Sequence, residues 1–459
     1  MMNNIFSKNR LSLYVVLFSI FVYVWTVFNI SSWERNKVII HDIISYYSYL
    51  PATFIYHDLS FEFTDDLTDE VKSKIWYLKD PNGARVQKMS MGLSIMYSPF
   101  FLIAHQIAKF FGIPATGYSW IYSLFLVLSS LFYFFVSLIF LRKILLRFFD
   151  DKSTALTLLI LAFGTNILFY VTNESPMSHS YNFFLFVLMI YQTLKWHDNP
   201  TFKMAFYIGI ISGLITIVRP SNIIILLIPL FYGIWNKETF IQKLQVLIQK
   251  WYQVLIILAL TVLIFSPQMF YWKHITGDYW YYSYGDEGFF FLSPKIFKGL
   301  FSFRKGWLIY TPVMIFAIAG IPLMFRQLKN FAVPVSLFFV LNIYIVFSWW
   351  CWWYGGSFGM RSLIESYAVL SIPLALFIKN AFQKKRLLKI STIVLMFLLI
   401  SLNTFQTLQY RRTVIHWDSM TKEAYFAVFG KLKFPENYQD LIESPDYRSA
   451  KKGEPEKAE

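Results

Sequence analysis

The sequence predicts an all-α integral membrane protein with about 11 transmembrane helices and one outer juxtamembrane or re-entrant helix after the first span. Three observations carry this. Apolar runs recur along most of the 459 residues, which are 56% hydrophobic with a mean hydropathy of +0.47, far from a soluble domain. Every short basic loop falls on one side when the runs are counted as crossings. The aromatic share is 20%, with Trp and Tyr gathered near span ends as interfacial anchors.

Spans are read at 11–30, 119–141, 153–172, 179–195, 204–218, 221–235, 252–272, 308–325, 331–349, 362–379 and 389–409. The first, Leu11 to Ile30, is long enough to stay as a span rather than act as a cleaved signal peptide. Runs 204–218 and 221–235 are short, but joined they would make a helix of about 48 Å, too long for a core of about 30 Å. Arg219-Pro220 between them is therefore read as a break at the outer surface.

The basic residues fix the orientation. Lys8 and Arg10 precede the first span, and Arg142, Lys143, Arg147 and Lys152 share one loop. Lys195 and Lys203 flank the next, Lys237, Lys243 and Lys250 a third, Arg326 and Lys329 a fourth, and Lys384, Lys385 and Arg386 a fifth. All are cytoplasmic if the chain starts inside, which predicts an inner-membrane protein with an extracytoplasmic C-terminal tail. Counting Met89 to Gly112 as a span would put the Arg142 loop outside, and this stretch also carries Pro99, His105 and Lys109. It is read as a helix with both ends outside, which needs protein or a cavity around it.

The organisation expected is a polytopic body over 1–409, with outer loops at 31–118 and 273–307, and an extracytoplasmic tail over 410–459. The final stretch, Ser449 to Glu459, is charged and expected to fray. The single cysteine, Cys351, leaves the outer loops to be held by packing rather than disulfides. Much of the net charge of +15 is positive-inside bias, and no nucleic-acid partner is expected. No Gly-rich phosphate loop, paired Cys/His metal spacing or internal repeat is evident. The chemistry is expected outside, where nucleotides are scarce.

The outer loops hold the candidate residues. Asp42 follows the first span, beside Tyr46, Tyr47 and Tyr49, and Asp58 lies in Tyr56-His57-Asp58. Shielding by aromatics raises a carboxyl's pKa and improves it as a base near neutrality. The run Asp65, Asp66, Asp69 and Glu70 reads as a solvated helix start. Lys88 opens the Met89–Gly112 stretch, where a helix N-terminus suits an anion. Glu174 and His179 sit in a tight outer turn, and Arg219 ends a short span against the charge trend, so it needs a carboxylate or phosphate partner. Arg304 and Lys305 precede a span in an aromatic setting that suits a phosphate head group. In Trp349-Trp350-Cys351-Trp352-Trp353-Tyr354 the aromatics, Trp353 and Tyr354 included, offer faces for sugar rings. Gly355, Gly356 and Gly359 point to close backbone approach, and Arg361 and Glu365 are spaced to pair on a helix.

At these residues the chain resembles the C-type-fold (GT-C) glycosyltransferases, which include the protein O-mannosyltransferases and the bacterial transferase that adds aminoarabinose to lipid A. The resemblance rests on the first span followed by the loop with Asp42 and Tyr46-Tyr47, on the Lys88 to Gly112 stretch, and on the multi-span body. A group of bacterial membrane proteins is more similar still, sharing Ser-Pro-Phe-Phe-Leu-Ile-Ala-His (98–105), Phe-Ser-Phe-Arg-Lys-Gly-Trp (301–307) and Trp-Trp-Tyr-Gly-Gly-Ser-Phe-Gly (352–359). The resemblance implies a polyprenyl-phosphate-sugar donor entering from the membrane lipid and a glycan, lipid or protein acceptor. It also implies a first-loop aspartate as base, with inversion at the anomeric carbon. No cofactor is expected, and nothing in the sequence indicates a divalent metal. Family members often carry two adjacent acidic residues in this loop; here His41 precedes Asp42, so the base is either Asp42 or Asp58. Two other classes compete. A transporter or flippase of lipid-linked glycan predicts charge within the bundle and repeat symmetry, and a non-catalytic envelope assembly subunit predicts a binding platform at the rim.

Overall fold

The computed structural model describes residues 10–454 and is helical almost throughout, with one short hairpin pairing Leu78–Lys79 and Arg85–Val86. Each predicted span coincides with helical structure. Among the described residues five helical stretches are long and apolar enough to cross a membrane: Arg10–Arg35, Trp120–Leu146, Trp251–Thr276, Lys329–Ser348 and Arg386–Arg411. Phe202–Val218, Pro220–Phe231, Pro312–Gln327 and Tyr367–Phe382 are apolar but shorter.

The expected spans that fall short do so for local reasons. The stretch read at 153–172 is two helices, Asp151–Phe163 and Ile167–Thr172. They part at Gly164, where a Cβ would come within 2.9 Å of the Ile160 carbonyl oxygen. The one read at 221–235 is a 3-10 turn, Pro220–Leu226, and one turn of α-helix, Leu227–Phe231. Arg219 before Pro220 is extended, with φ −155° and ψ 101°, the backbone a following proline enforces. Pro312 divides the stretch read at 308–325 into Trp307–Tyr310, Pro312–Met314 and Ile315–Gln327.

The two ends of the bundle gather different segments. At one end the Arg142 guanidinium donates to Ser12 Oγ at 2.8 Å, Arg147 holds Asp198 at 2.6 Å, and Trp196 donates to Gln253 at 2.7 Å. Arg10 starts its helix at this end; Lys8 lies outside the described residues. The opposite end gathers the 31–118 loop, the turn before Ser178, Arg219, the 273–307 loop, the Trp-rich segment and the tail. They are tied by Lys88 to Glu287, Asp42 to Arg361, His179 to Glu365 and Lys451 to Asp286.

The Met89–Gly112 stretch forms a helix over Gly92–Phe110. Leu93, Met96, Tyr97, Phe101 and Ala104 are buried on one face, while Ile95, Leu102 and Ile103 are exposed on the other. It packs beside the Trp120–Leu146 helix, with Tyr133 donating to the Met96 carbonyl and His105 bonded to Tyr122. Gly92 is pressed so closely against Val218 that a Cβ would lie 2.4 Å from its backbone nitrogen.

The tail folds back on the body rather than fraying from Ser449. Tyr447–Lys451 is a short helix capped by Asp446, whose carboxylate accepts from the Arg448 and Ser449 N–H groups, and Ala450 is buried. Residues 455–459 lie outside the described part.

Candidate functional site

Asp42 lies in the first turn of the helix His41–Tyr47, placed there by a backbone that leaves Ile40 extended and turns at His41 with φ +51°. The rest of that helix is apolar and buried, so the turn projects one carboxylate from the rim of a packed element. Asp42 is 33% exposed at its side chain, and its Oδ2 lies 3.4 Å from Nη2 of Arg361. Tyr46, one turn on, shares this face and is close enough to feel Asp42, Arg219 and Arg361. Tyr47 points the other way: its hydroxyl donates to the Gly117 carbonyl and its ring packs edge-on against Phe101 and Tyr118. It serves the core, not the site.

Arg361 follows the glycine-rich segment. Gly359 has φ +59°, and a Cβ there would sit 3.0 Å from Tyr310; one at Gly356 would sit 3.0 Å from Trp417. Both show the close approach expected from the sequence, whereas Gly355, at φ +63°, has nothing within 4 Å of a Cβ and serves only the backbone turn. The expected Arg361–Glu365 pair does not form, because Arg361–Leu363 is a 3-10 turn, in which residues four apart no longer share a face. Arg361 turns to Asp42, Tyr170 and Glu174. Burial opposes its charge, but these neighbours hold its pKa above the ordinary value.

Glu365 instead joins two other candidates. It is 2% exposed, and one carboxylate oxygen accepts from His179 Nδ1 at 3.1 Å and from Arg219 Nη1 at 3.4 Å. Burial alone would raise its pKa, yet His179 and Arg219 hold the carboxyl below its ordinary value. Arg219 also lies over the Tyr354 ring, 5.6 Å from its centroid. Tyr354 is held at φ +58° with its hydroxyl donating to the Val346 carbonyl at 2.8 Å. The partner that Arg219 needed by sequence is thus a carboxylate and an aromatic face.

Glu174 sits in the turn between Thr172 and Ser178, facing Arg361 and Asp42. Part of its side chain meets solvent, but the carboxyl is sunk among the surrounding elements. Burial, joined by the Asp42 carboxylate, pushes its pKa up to about 7 against the pull of Arg361. Above this cluster the 273–307 loop brings Tyr284 and Glu287. Lys88 pairs with Glu287 at 2.5 Å and lies over the Tyr284 ring, while Glu287 also accepts from Trp350 Nε1 at 3.1 Å. Lys88 precedes the helix start at Gly92 by four residues, so it ties two outer loops and does not stand at a helix N-terminus.

The remaining candidates lie elsewhere. Asp58 accepts from the Ser60 and Phe63 N–H groups at 2.8 and 2.9 Å and closes a turn. These bonds outweigh its burial and lower its pKa. Arg304 donates to the Asp418 and Glu443 carbonyls, both at 2.9 Å, and Lys305 to the Ser357 and Trp417 carbonyls. Both are buried, Lys305 to 1% exposure, and burial pushes the Lys305 amine down to about 7. They hold the tail against the body and present no interfacial phosphate site. Trp353 is fully buried against Trp350, Trp352 and Tyr447, leaving no face for a sugar.

The structure thus brings together Asp42, Tyr46, Glu174, His179, Arg219, Tyr354 and Arg361, and adds Glu365 and Tyr284, which the sequence did not single out for the site. Three carboxylates and two guanidiniums share one end of the bundle. Such a cluster has the groups to remove a proton and to hold an anion. Among the described residues no group of three or more His, Cys, Asp or Glu side chains is arranged to hold a metal ion.

No protein-family model matches the chain, and no curated protein matches its sequence. Solved structures do. The oligosaccharyltransferase of Archaeoglobus fulgidus in its apo form aligns over 95% of this chain with TM-score 0.51 and 12% identity. The archaeal oligosaccharyltransferase AglB from the same organism, in complex with an inhibitory peptide and a dolichol-phosphate, aligns over 95% at TM-score 0.46 and 11% identity. An A. fulgidus oligosaccharyltransferase complex with Zn and sulfate aligns over 80% at 0.40 and 13%. The chain spans 61% of the length of the first two and 51% of the third. The likeness to the apo enzyme establishes the fold: over 95% of its length the chain folds as that structure does.

Proposed function

We propose that the protein is a membrane glycosyltransferase that moves a sugar from a polyprenyl-phosphate donor to an acceptor hydroxyl, with inversion, on the outer side of the inner membrane. The observation that carries this is the Asp42 carboxylate, part-exposed and 3.4 Å from Arg361, with Arg219 and Asp42 both close enough to act on Tyr46. Glycosyl transfer passes through oxocarbenium-like charge while the leaving phosphate gains negative charge. The chemistry therefore asks for a base on the acceptor side and fixed cations on the leaving-group side. Asp42 takes the acceptor proton as the acceptor oxygen bonds to the anomeric carbon, and the bond to the donor phosphate breaks with its electron pair going to the phosphate. Arg219, steadied from beneath by Glu365 and on its face by Tyr354, receives that phosphate together with Arg361. A phosphate leaves readily, so a strong general acid is not required.

Asp42→Asn tests this in membranes supplied with a lipid-linked sugar. The variant inserts and folds as the wild type and loses transfer by about 100-fold or more, the order expected when a general base is removed. Transfer at the wild-type rate would remove Asp42 from the role. Comparing the envelope glycans with and without the protein then identifies sugar and acceptor.

A further inference from the structure

The helix Lys237–Gln249 lies at the basic end of the bundle, away from the candidate site, and its surface divides into three sectors. It starts with a capping box in which Asn236 accepts from the Thr239 N–H at 2.9 Å. One sector faces the bundle. Val246 and Leu247 pack on the core, and Lys243, 8% exposed, donates to the Pro229 carbonyl at 2.8 Å, bonds His197 Nε2 and lies over the Trp196 ring. This buried lysine fixes the helix's rotation. A second sector, Glu238, Gln242, Gln245 and Gln249, is polar and exposed. The third is apolar and exposed: Phe240, Ile241, Leu244 and Ile248, the last at 70%. At about 100° per residue these four fall within an arc of ~100°, entered by a charge only at Lys237 in the first position, and the four polar residues within ~60° centred about 120° away.

The exposed apolar sector is not isolated. After Lys250 the chain turns directly into the helix Trp251–Thr276, one of the five long enough to cross a membrane. Its exposed residues Trp251, Tyr252, Leu255, Leu258, Val262 and Leu263 continue the apolar wall. Exposed Trp235 stands just before the short helix and Trp251 just after it, the placing of interfacial anchors. Fixed rotation, a separate polar sector and continuity with a membrane-crossing wall point to one occupant.

We infer that Lys237–Gln249 is an interfacial helix that lies in the plane of the bilayer surface at the basic end, with Phe240, Ile241, Leu244 and Ile248 in the boundary between head groups and acyl chains. The partner is the phospholipid bilayer itself. The inference does not depend on the transferase reading.

The test uses the full-length protein reconstituted alone into phosphatidylcholine–phosphatidylglycerol vesicles. Cys351 is buried, so single spin labels are placed at Leu244→Cys, Ile248→Cys, Gln242→Cys and Gln245→Cys, with Val262→Cys as a lipid-facing reference. Collision rates with oxygen, which partitions into the bilayer, are compared with those of a water-soluble nickel chelate. The expected result is an oxygen-to-nickel ratio several-fold higher at 244 and 248 than at 242 and 245, approaching the reference. Nickel-dominated collisions at 244 and 248 would mean an open face awaiting a protein, and low collision with both reagents there would mean a contact between copies. Either overturns the inference. All five labels replace exposed side chains, and circular dichroism of each variant confirms the fold.

Discussion

Asp42 was legible in the sequence because a carboxylate directly after a span stands out, and its neighbour Arg361 lies 319 positions away, a distance no local spacing reveals. Glu365 was visible only as the wrong partner: spacing assigned it to Arg361, whereas the 3-10 turn delivers it to His179 and Arg219. That correction yields a prediction. Glu365 positions Arg219 without touching substrate, so Glu365→Gln should raise the KM for the lipid-linked donor by about 10-fold, the order of a lost charge-assisted hydrogen bond, with a smaller fall in kcat. Glu365→Asp should recover part of the donor affinity; equal losses in KM and kcat with no rescue would reduce the residue to a structural role. Glu174 carries a pH signature. Its folded-state pKa is raised to about 7, so between its unfolded value and about 7 the folded state binds more protons than the unfolded one. Stability contributed by this group is therefore present at low pH and falls as pH rises through that window. Glu174→Gln should abolish this slope, read as a stability gain over the wild type that grows from pH 4.5 to pH 7.5 in thermal unfolding of the detergent-solubilised protein.

At the scale of elements, hydrophobic runs located the helices, because apolar length is what a membrane selects, but they did not locate the breaks inside them. Gly164 and Pro312 interrupt runs that remain apolar in composition, and composition does not register an interruption; the break at Arg219-Pro220 was legible because a proline stood there and the joined runs were too long for one span. The helix Gly92–Phe110 shows what close approach between elements does for the site. Gly92 lets its first turn lie against the end of Phe202–Val218, and Ser94 in the same turn donates to the Tyr46 carbonyl, so this helix fixes the rear of the segment that carries Asp42. A methyl group at Gly92 would stand 2.4 Å from the Val218 nitrogen and 2.5 Å from the Ile217 carbonyl oxygen, both backbone atoms with no rotamer to escape into. Gly92→Ala should therefore destabilise the protein by ~1–3 kcal/mol, the range for overpacking, and reduce transfer as well, because the strain is relieved by moving the helix that supports Tyr46. Ser94→Ala, which removes a hydrogen bond without adding volume, should cost about 1 kcal/mol and leave more of the activity. Thermal midpoints and transfer rates measured on the two variants separate volume from hydrogen bonding.

At the scale of the whole molecule, charge counting sorts the loops into two sets because the positive-inside bias acts on every loop at once. What it could not supply was the use each charge finds within its end. Arg304 and Lys305 read as free cations at the interface, yet their acceptors are carbonyls of the Trp-rich segment and of the tail, more than a hundred residues on in the case of Asp418 and Trp417. Two buried cations pinning a returning tail predict a different failure from two cations binding a phosphate. Lys305→Met keeps the chain length and apolar stem but leaves the Ser357 and Trp417 carbonyls without their donor, and unpaired buried carbonyls are costly. The tail should loosen from about Trp417 onward, so limited proteolysis of the membrane-embedded protein should cut between Ile415 and Glu443 at a rate several-fold above wild type. The affinity for a lipid-linked donor should stay within about 2-fold, since the cations proposed for the phosphate, Arg219 and Arg361, have other supports. The opposite pattern, an intact tail with donor affinity lost, would return Lys305 to the phosphate-binding role that its sequence position first suggested.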